Sequence, residues 1–140
     1  MEDINNQTNW ASLHDSDTSW RSKKAGPLAQ SFILPRYLKL FFQRFGNLKS
    51  LDFLELGAGN GEVSELILKN NNGCIRKYIA SDFQEKLVFY LKNKGLEAKL
   101  INAEDIPEPD ASFDVVLSFD AMHHVKSPEI MPKEMMIVGR

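Results

Sequence analysis

The feature of this sequence that most constrains its fold is a short apolar run that leads directly into three glycines. Residues 51–56, LDFLEL, have the length and composition of a buried strand bounded by glycine. The glycines that follow, Gly57, Gly59 and Gly61, let the backbone turn sharply, because glycine reaches positive φ without steric cost. Residues 62–67 then predict a helix with acidic residues in its first turn, where the helix dipole favours them. Strand, glycine loop and helix N-terminus together indicate a cradle for a nucleotide cofactor.

The spacing of the glycines discriminates between kinds of nucleotide cofactor. The phosphate loop of NTPases requires a Gly-Lys-Ser/Thr ending, which this sequence lacks. The dinucleotide fingerprint places its third glycine one residue later than Gly61. The loop is instead preceded by Glu55, and a carboxylate there suits a ligand with an ammonium group better than one with a pyrophosphate. A plain strand-to-helix turn remains an alternative, since glycine patterns alone are not specific.

A second strand is predicted at residues 77–81, and it ends at Asp82. Asp82 follows Gly61 by 21 residues, which in a β-α-β unit places it at the carboxyl end of the neighbouring strand, beside the glycine loop. Its two oxygens can accept from the two hydroxyls of a ribose, and the adjacent Phe83 can cover the face of an adenine. The alternative for Asp82 is that it only caps the next helix.

The segment NAEDIPEPDASFDVVLSFDAMHHV, Asn102 to Val125, carries a further signature. Together with ELGAGNG at residues 55–61, it resembles the class I S-adenosylmethionine-dependent methyltransferases, and among them the type 11 methyltransferase domain family. The resemblance extends from about Asp52 to Glu134. It implies a Rossmann-like fold, S-adenosylmethionine as methyl donor, S-adenosylhomocysteine as product, and a small-molecule methyl acceptor.

The resemblance also implies roles for residues at the strand ends. The glycine loop, with Ala58, would hold the methionine carboxylate, and Glu55 would lie near the ammonium group. Asn102 and Ala103 would meet the adenine, where the family usually has Asp in place of Asn102. The predicted cofactor-binding residues are Glu55, Gly57, Ala58, Gly59, Gly61, Asp82, Phe83, Asn102, Ala103, Glu104 and Ser118.

The end of the fourth predicted strand, residues 113–118, is expected close to the transferred methyl group. His123 or His124 can act there as a general base, because imidazole titrates near neutral pH. Each histidine can equally be an ordinary polar residue at a helix start. A metal site built on Asp120 and His124 has no third ligand nearby in the sequence, so no metal is predicted.

The remaining sequence predicts one domain with an N-terminal arm. A chain of 140 residues is enough for one domain and too short for two. Residues 1–26 are polar without an apolar period and predict a flexible arm, in which Trp10 and Trp20 can pack on the domain or cover a ligand. Residues 27–140 form the predicted cofactor-binding domain, and residues 27–45 have the apolar spacing of a helix.

Composition argues against several classes of function. The net charge of -2 and the pI of about 5.9 argue against a broad nucleic-acid or anionic-membrane surface. No apolar run approaches the roughly 18 residues that span a bilayer. Cys74 is the single cysteine, so an internal disulfide cannot form, and a cytoplasmic location fits.

The expected fold class is α/β, the N-terminal half of a doubly wound parallel sheet with an added N-terminal helix. Its strand order would be 3-2-1-4 if the crossovers are right-handed. Family members continue with three more strands, so the sequence indicates a chain truncated at its C-terminus. The fourth strand would then be an apolar edge that needs a second copy or another partner. Two alternatives remain: an inactive module of this fold that binds a partner, and half of an NAD-dependent dehydrogenase.

Overall fold

The computed structural model describes residue 36 and residues 38–119 and 125–140. These residues fall into two compact units that divide between Phe45 and Gly46. In the first unit residues 38–45 are helical, in agreement with the apolar spacing of the sequence.

Several sequence predictions concern residues outside the described ranges. They are the flexible arm at residues 1–26 and the first part of the N-terminal helix. The roles of Trp10, Trp20, Asp120, His123 and His124 also fall there, so all of these remain predictions.

The second unit alternates strands and helices. Its elements are β1 (Leu51–Leu56), α1 (Glu62–Lys69), β2 (Ile75–Asp82), α2 (Glu85–Asn93), β3 (Ala98–Leu100), β4 (Val115–Leu117) and α3 (Ile130–Val138). The three strand pairs in this unit are parallel, and the strand order is β3-β2-β1-β4. This confirms the predicted Rossmann-like order, and it brings the carboxyl ends of all four strands to one edge of the sheet.

Both faces of the sheet are covered by helices. Alternate side chains of a strand point to opposite faces, so Leu54 and Leu56 of β1 join a core with Met131 and Val138 of α3. On the other face, α2 packs against β2 and β3 through the cluster Ala80, Val88, Leu91 and Ala98. β1 lies between β2 and β4, and five of its six residues are buried.

β4 is shorter than the sequence predicted, since it covers Val115–Leu117 rather than residues 113–118. The N–H of Asp114 still donates to the carbonyl of Asp52 on β1 at 3.0 Å, and the backbone of Phe113 bonds on the outer side of β4. The N–H of Phe113 donates to the carbonyl of Val138 at 3.1 Å, and its carbonyl accepts from the N–H of Arg140 at 2.9 Å. The chain after α3 thus starts to run beside β4, parallel to it.

A turn precedes the last helix, and α3 begins at Ile130. The carbonyl of Ser127 accepts from the N–H of Ile130 at 2.9 Å, so these residues form a turn that precedes the helix. None of the helices within the described ranges is long and apolar enough to cross a membrane.

Candidate functional site

The glycine loop leaves the carboxyl end of β1 and leads into α1. Gly57, Gly59 and Gly61 have φ values of 70°, 59° and 80°, a region that residues with a Cβ rarely adopt. A Cβ on Gly61 would lie 2.7 Å from Leu91 Cδ2 and 3.0 Å from Leu96 Cδ1. A Cβ on Gly59 would meet no described atom within 4 Å. The loop is therefore packed tightly where it enters α1 and borders open space at Gly59.

The loop is bonded directly to the end of β2. The N–H of Ala58 donates to the carbonyl of Ser81 at 2.8 Å, and the N–H of Gly59 donates to Asp82 Oδ2 at 3.1 Å. Asp82 Oδ1 accepts from the N–H of Gln84 at 3.1 Å, at the start of α2. Asp82 thus lies against the glycine loop, as the sequence predicted, and it also stabilises the start of the next helix.

Gln84, at the start of α2, is a buried polar residue whose role sequence reasoning missed. It follows Asp82 by two positions and is 1% exposed. Within the described part of the chain, neither Oε1 nor Nε2 of its amide has a hydrogen-bond partner. A buried amide of this kind is usually completed by an ordered water or a ligand. Phe83, between the two, is 44% exposed at the same strand end.

Glu55 lies beneath the glycine loop, in the space between the sheet and α1, and is 2% exposed. Its Oε2 accepts from the hydroxyl of Tyr78 on β2 at 2.7 Å and from the hydroxyl of Ser64 on α1. Burial raises the pKa of Glu55, and the nearby charge of Asp82 adds to this, while the two hydroxyl donors oppose it. Burial and the Glu55 carboxylate likewise raise the pKa of Tyr78 well above its usual range, so its hydroxyl stays a donor.

Neither hydroxyl partner of Glu55 was predicted from the sequence. The available signals were a tyrosine in the middle of β2 and a serine on the buried face of α1. The sequence placed Glu55 near the site, and the structure adds that its side chain is directed into the protein rather than exposed at the sheet edge.

The loop after β3 holds the residues predicted to meet the adenine. Asn102 is exposed, and its Oδ1 accepts from the N–H of Glu104 at 2.9 Å. Ala103 packs against the core. The two carboxylate oxygens of Glu104 accept from the N–H groups of Ser127 at 2.8 Å and Lys126 at 3.1 Å. Glu104 therefore connects this loop to the segment that enters α3.

Ser118 follows β4 directly and is half-buried at the same edge of the sheet. The predicted general bases after it, His123 and His124, lie outside the described residues. Among the residues that are described, no group of three or more His, Cys, Asp or Glu side chains could hold a metal ion.

Comparison with protein families identifies the chain. Residues 54–139 match the type 11 family model described as "Methyltransferase domain". The chain belongs to this methyltransferase family. The matched range starts in β1 and ends just after α3, so it includes the glycine loop, Asp82 and the loop after β3.

Curated relatives of this methyltransferase domain are much longer than the chain. A probable S-adenosylmethionine-dependent methyltransferase of Mycobacterium tuberculosis is 35% identical over 77 residues, which cover 53% of this chain and 26% of the relative. The tRNA U34 carboxymethyltransferase of Nautilia profundicola is 28% identical over 122 residues, or 85% of this chain and 36% of the relative.

Solved structures share the fold of this methyltransferase domain at 17–22% identity. A candidate S-adenosylmethionine-dependent methyltransferase from Methanococcus maripaludis gives a TM-score of 0.70 over 98% of this chain and 59% of its own. A methyltransferase from Aquifex aeolicus gives a TM-score of 0.59 over 74% of this chain and 58% of its own. The [4+2]-cyclase SpnF gives a TM-score of 0.65 over 75% of this chain and 41% of its own. A cyclase with this fold illustrates that the fold alone does not determine the reaction.

Proposed function

We propose that this methyltransferase domain binds S-adenosylmethionine at the carboxyl ends of β1, β2 and β3 and transfers its methyl group to a small-molecule acceptor. The observation that carries the proposal is the hydrogen bond from Gly59 to Asp82 Oδ2. It joins the bare backbone of the loop to the carboxylate expected to bind a ribose. Family membership supports the same conclusion.

The described residues fit such a cofactor in two respects. The space beside Gly59 is open, so a ligand can approach the backbone there. Each oxygen of Asp82 accepts one backbone N–H, and a carboxylate oxygen can accept more than one hydrogen bond. Asp82 can therefore hold both ribose hydroxyls without releasing Gly59 or Gln84.

The glycine loop would contribute chiefly its shape. The N–H groups of Ala58, Gly59 and Gly61 already have acceptors within the protein. A methionine carboxylate beside the loop is still favoured, because it lies at the positive end of the α1 dipole. The Glu55 carboxylate, buried just below, would contribute negative charge opposite the ammonium group.

The remaining roles follow the order of the strands. Phe83, half exposed after β2, would cover the adenine face, and Asn102 and Ala103 after β3 would meet its edge. Glu104 would act through the position of that loop. Ser118 after β4 would lie near the methyl group, with His123 or His124 as general base.

S-adenosylmethionine supplies an electrophilic methyl group on its sulfonium. The protein must then hold the acceptor in line with that methyl, and positioning of this kind contributes roughly 7–11 kcal/mol at best. The acceptor is proposed to be a small molecule because the net charge of -2 does not favour a polyanion. The domain boundaries at residues 1–26 and 27–140 and a cytoplasmic location remain proposals.

Titration calorimetry of the purified chain with S-adenosylmethionine tests the proposal. We expect saturable binding of the cofactor and of S-adenosylhomocysteine, and none of NADH. Saturable NADH binding without S-adenosylmethionine binding would instead support the dehydrogenase alternative. A tRNA added to the same assay should not bind, whereas tight tRNA binding would contradict the small-molecule acceptor.

A further inference from the structure

Three polar side chains from three different elements meet beneath the glycine loop. Glu55 comes from β1, Ser64 from α1 and Tyr78 from β2, and all three are buried. Both hydroxyls donate to the same oxygen, Glu55 Oε2, with Tyr78 at 2.7 Å. A buried carboxylate is costly unless donors compensate for its lost hydration, so these two hydroxyls decide how easily it stays charged.

We infer that Ser64 and Tyr78 are positioning residues of the cofactor site, which keep Glu55 ionised and in one orientation so that cofactor affinity follows its titration. The inference rests on the proposed function and adds two residues to the site. Neither residue is expected to touch the cofactor, because both lie inside the protein beneath the loop.

The backbone geometry shows why the orientation of Glu55 matters to the loop. Its carbonyl accepts from Ser81 Oγ at 2.6 Å, so β2 binds Glu55 through its backbone as well as through Tyr78. Ser64 is the third residue of α1, whose N-cap is Gly61. The network therefore fixes the last residues before the loop relative to the first turn after it.

Burial raises the pKa of Glu55, and the groups that face its carboxylate modify this shift. Asp82, at the end of β2, repels its charge, and Tyr78 and Ser64 offer neutral donors. The positive end of the α1 dipole also favours the ionised form. Loss of either hydroxyl removes a compensating donor, so the pKa of Glu55 should rise further. As pH falls, the variant then loses the negative charge opposite the ammonium group at a higher pH than the wild-type protein does.

The test is the affinity for S-adenosylmethionine measured by calorimetry from about pH 5 to pH 7, where the amino group of the cofactor keeps its proton. We expect Tyr78→Phe to bind roughly tenfold or more weakly within this range, with a difference that shrinks as pH rises. Ser64→Ala should behave similarly and serves as a second variant if the first does not fold. Glu55→Gln should remove the pH dependence.

Tyr90→Phe is the matched control, because it deletes the same hydroxyl from a tyrosine that is 45% exposed on α2. It should keep both the affinity and the pH profile. If Tyr78→Phe kept them as well, or lost affinity equally at every pH, the inference would be overturned.

A readout without cofactor separates this inference from the proposed function. The carboxyl of Glu55 can be titrated by NMR in protein that carries ¹³C-labelled glutamate, with Glu55→Gln to assign the signal. We expect the titration midpoint to rise in Tyr78→Phe and to stay unchanged in Tyr90→Phe. An unchanged midpoint in Tyr78→Phe refutes the inference. Failure of wild-type protein to bind S-adenosylmethionine, with the midpoint shifted as expected, refutes only the proposed function.

Discussion

Asp82 combines a structural and a proposed binding task in one carboxylate. Replacement by Ala removes the acceptors of Gly59 and Gln84 and the proposed ribose contact together. We expect Asp82→Ala to weaken S-adenosylmethionine binding by roughly 1.5–3 kcal/mol, the scale of a hydrogen bond to a charged group. Calorimetry measures this, with the exposed Asp110→Ala as control. Unchanged affinity of Asp82→Ala would remove this residue from the site.

Gln84 is expected to cost stability, because both polar atoms of its buried amide lack partners within the described residues. Methionine has a similar length and no strongly polar atoms. Gln84→Met should therefore raise the free energy of unfolding by about 1 kcal/mol in urea denaturation. The exposed Gln43→Met should be close to neutral. A clear loss of stability in Gln84→Met would instead indicate that a buried water bonds to the amide.

Gly61 is constrained by its backbone and by its neighbours. Alanine there meets a positive φ of 80° and a contact of 2.7 Å with Leu91 Cδ2. Gly95 has a similar φ of 85°, and a Cβ there would meet no described atom within 4 Å. We expect Gly61→Ala to lose roughly 1–3 kcal/mol more stability than Gly95→Ala, the scale of an overpacked site. Equal losses would mean that Leu91 moves aside freely.

At the scale of elements, β1 carries two acids whose pKa shifts have opposite directions. Hydrogen bonds from Arg76, at 2.8 and 2.6 Å, lower the pKa of Asp52 at the amino end of the strand. Burial raises the pKa of Glu55 at the carboxyl end. The same strand is thus half-exposed to water where it begins and sealed by α1 where it ends.

The shift of Asp52 makes a prediction about acid stability. A lowered pKa in the folded state stabilises the protein above the unfolded value of about 3.9, and the gain is lost as pH falls through the folded pKa. Asp52→Asn should therefore be less stable than wild type at neutral pH, with a difference that disappears in acid. The effect should be small, since Arg76 is 61% exposed. Urea denaturation at several pH values checks it, and a difference that persists in acid would contradict it.

The loop after β3 and the start of α3 are also coupled at this scale. Both oxygens of Glu104 bind N–H groups of the segment before α3, and Glu134 of α3 accepts from the N–H of Ile106 at 3.0 Å. The carboxylates of Glu104 and Glu134 therefore each accept from backbone N–H groups of the other segment. Within the site, the position of the proposed adenine loop depends on these contacts.

For the whole molecule, β4 is the outermost strand of the described sheet, and the chain after α3 bonds to part of its outer side. Phe113 bonds outward to Val138 and Arg140, and the N–H of Asp114 donates inward to Asp52 on β1. Backbone groups alternate between the two sides of a strand, so the N–H of Val115 points outward and that of Val116 points toward β1. Val116→Pro should therefore unfold the domain, whereas Val115→Pro should keep the fold. Circular dichroism and urea denaturation check this, and equal losses of stability in the two variants would contradict it.

Much of the sheet could be predicted because its signals are local. The apolar runs, the glycine loop and the right-handed crossover rule were enough for β1, β2, β3 and the strand order. The contact between Gly59 and Asp82 followed from the same rule, since both lie at the carboxyl ends of adjacent parallel strands. The ends of β4 were mispredicted, because the end of a strand depends on backbone bonds to residues far away in the sequence, such as those of Phe113 to Val138 and Arg140.

The sequence by itself determined which strands form, in which order they pair, and at which edge a cofactor can be held. These follow from residue spacing along the chain and from the chirality of the backbone. Only the tertiary structure decided that Glu55 is bonded to Ser64 and Tyr78, that the amide of Gln84 is buried, and that Glu104 joins two loops. Such contacts depend on how side chains from separate elements pack in three dimensions, and the spacing of residues along the chain does not predict this packing.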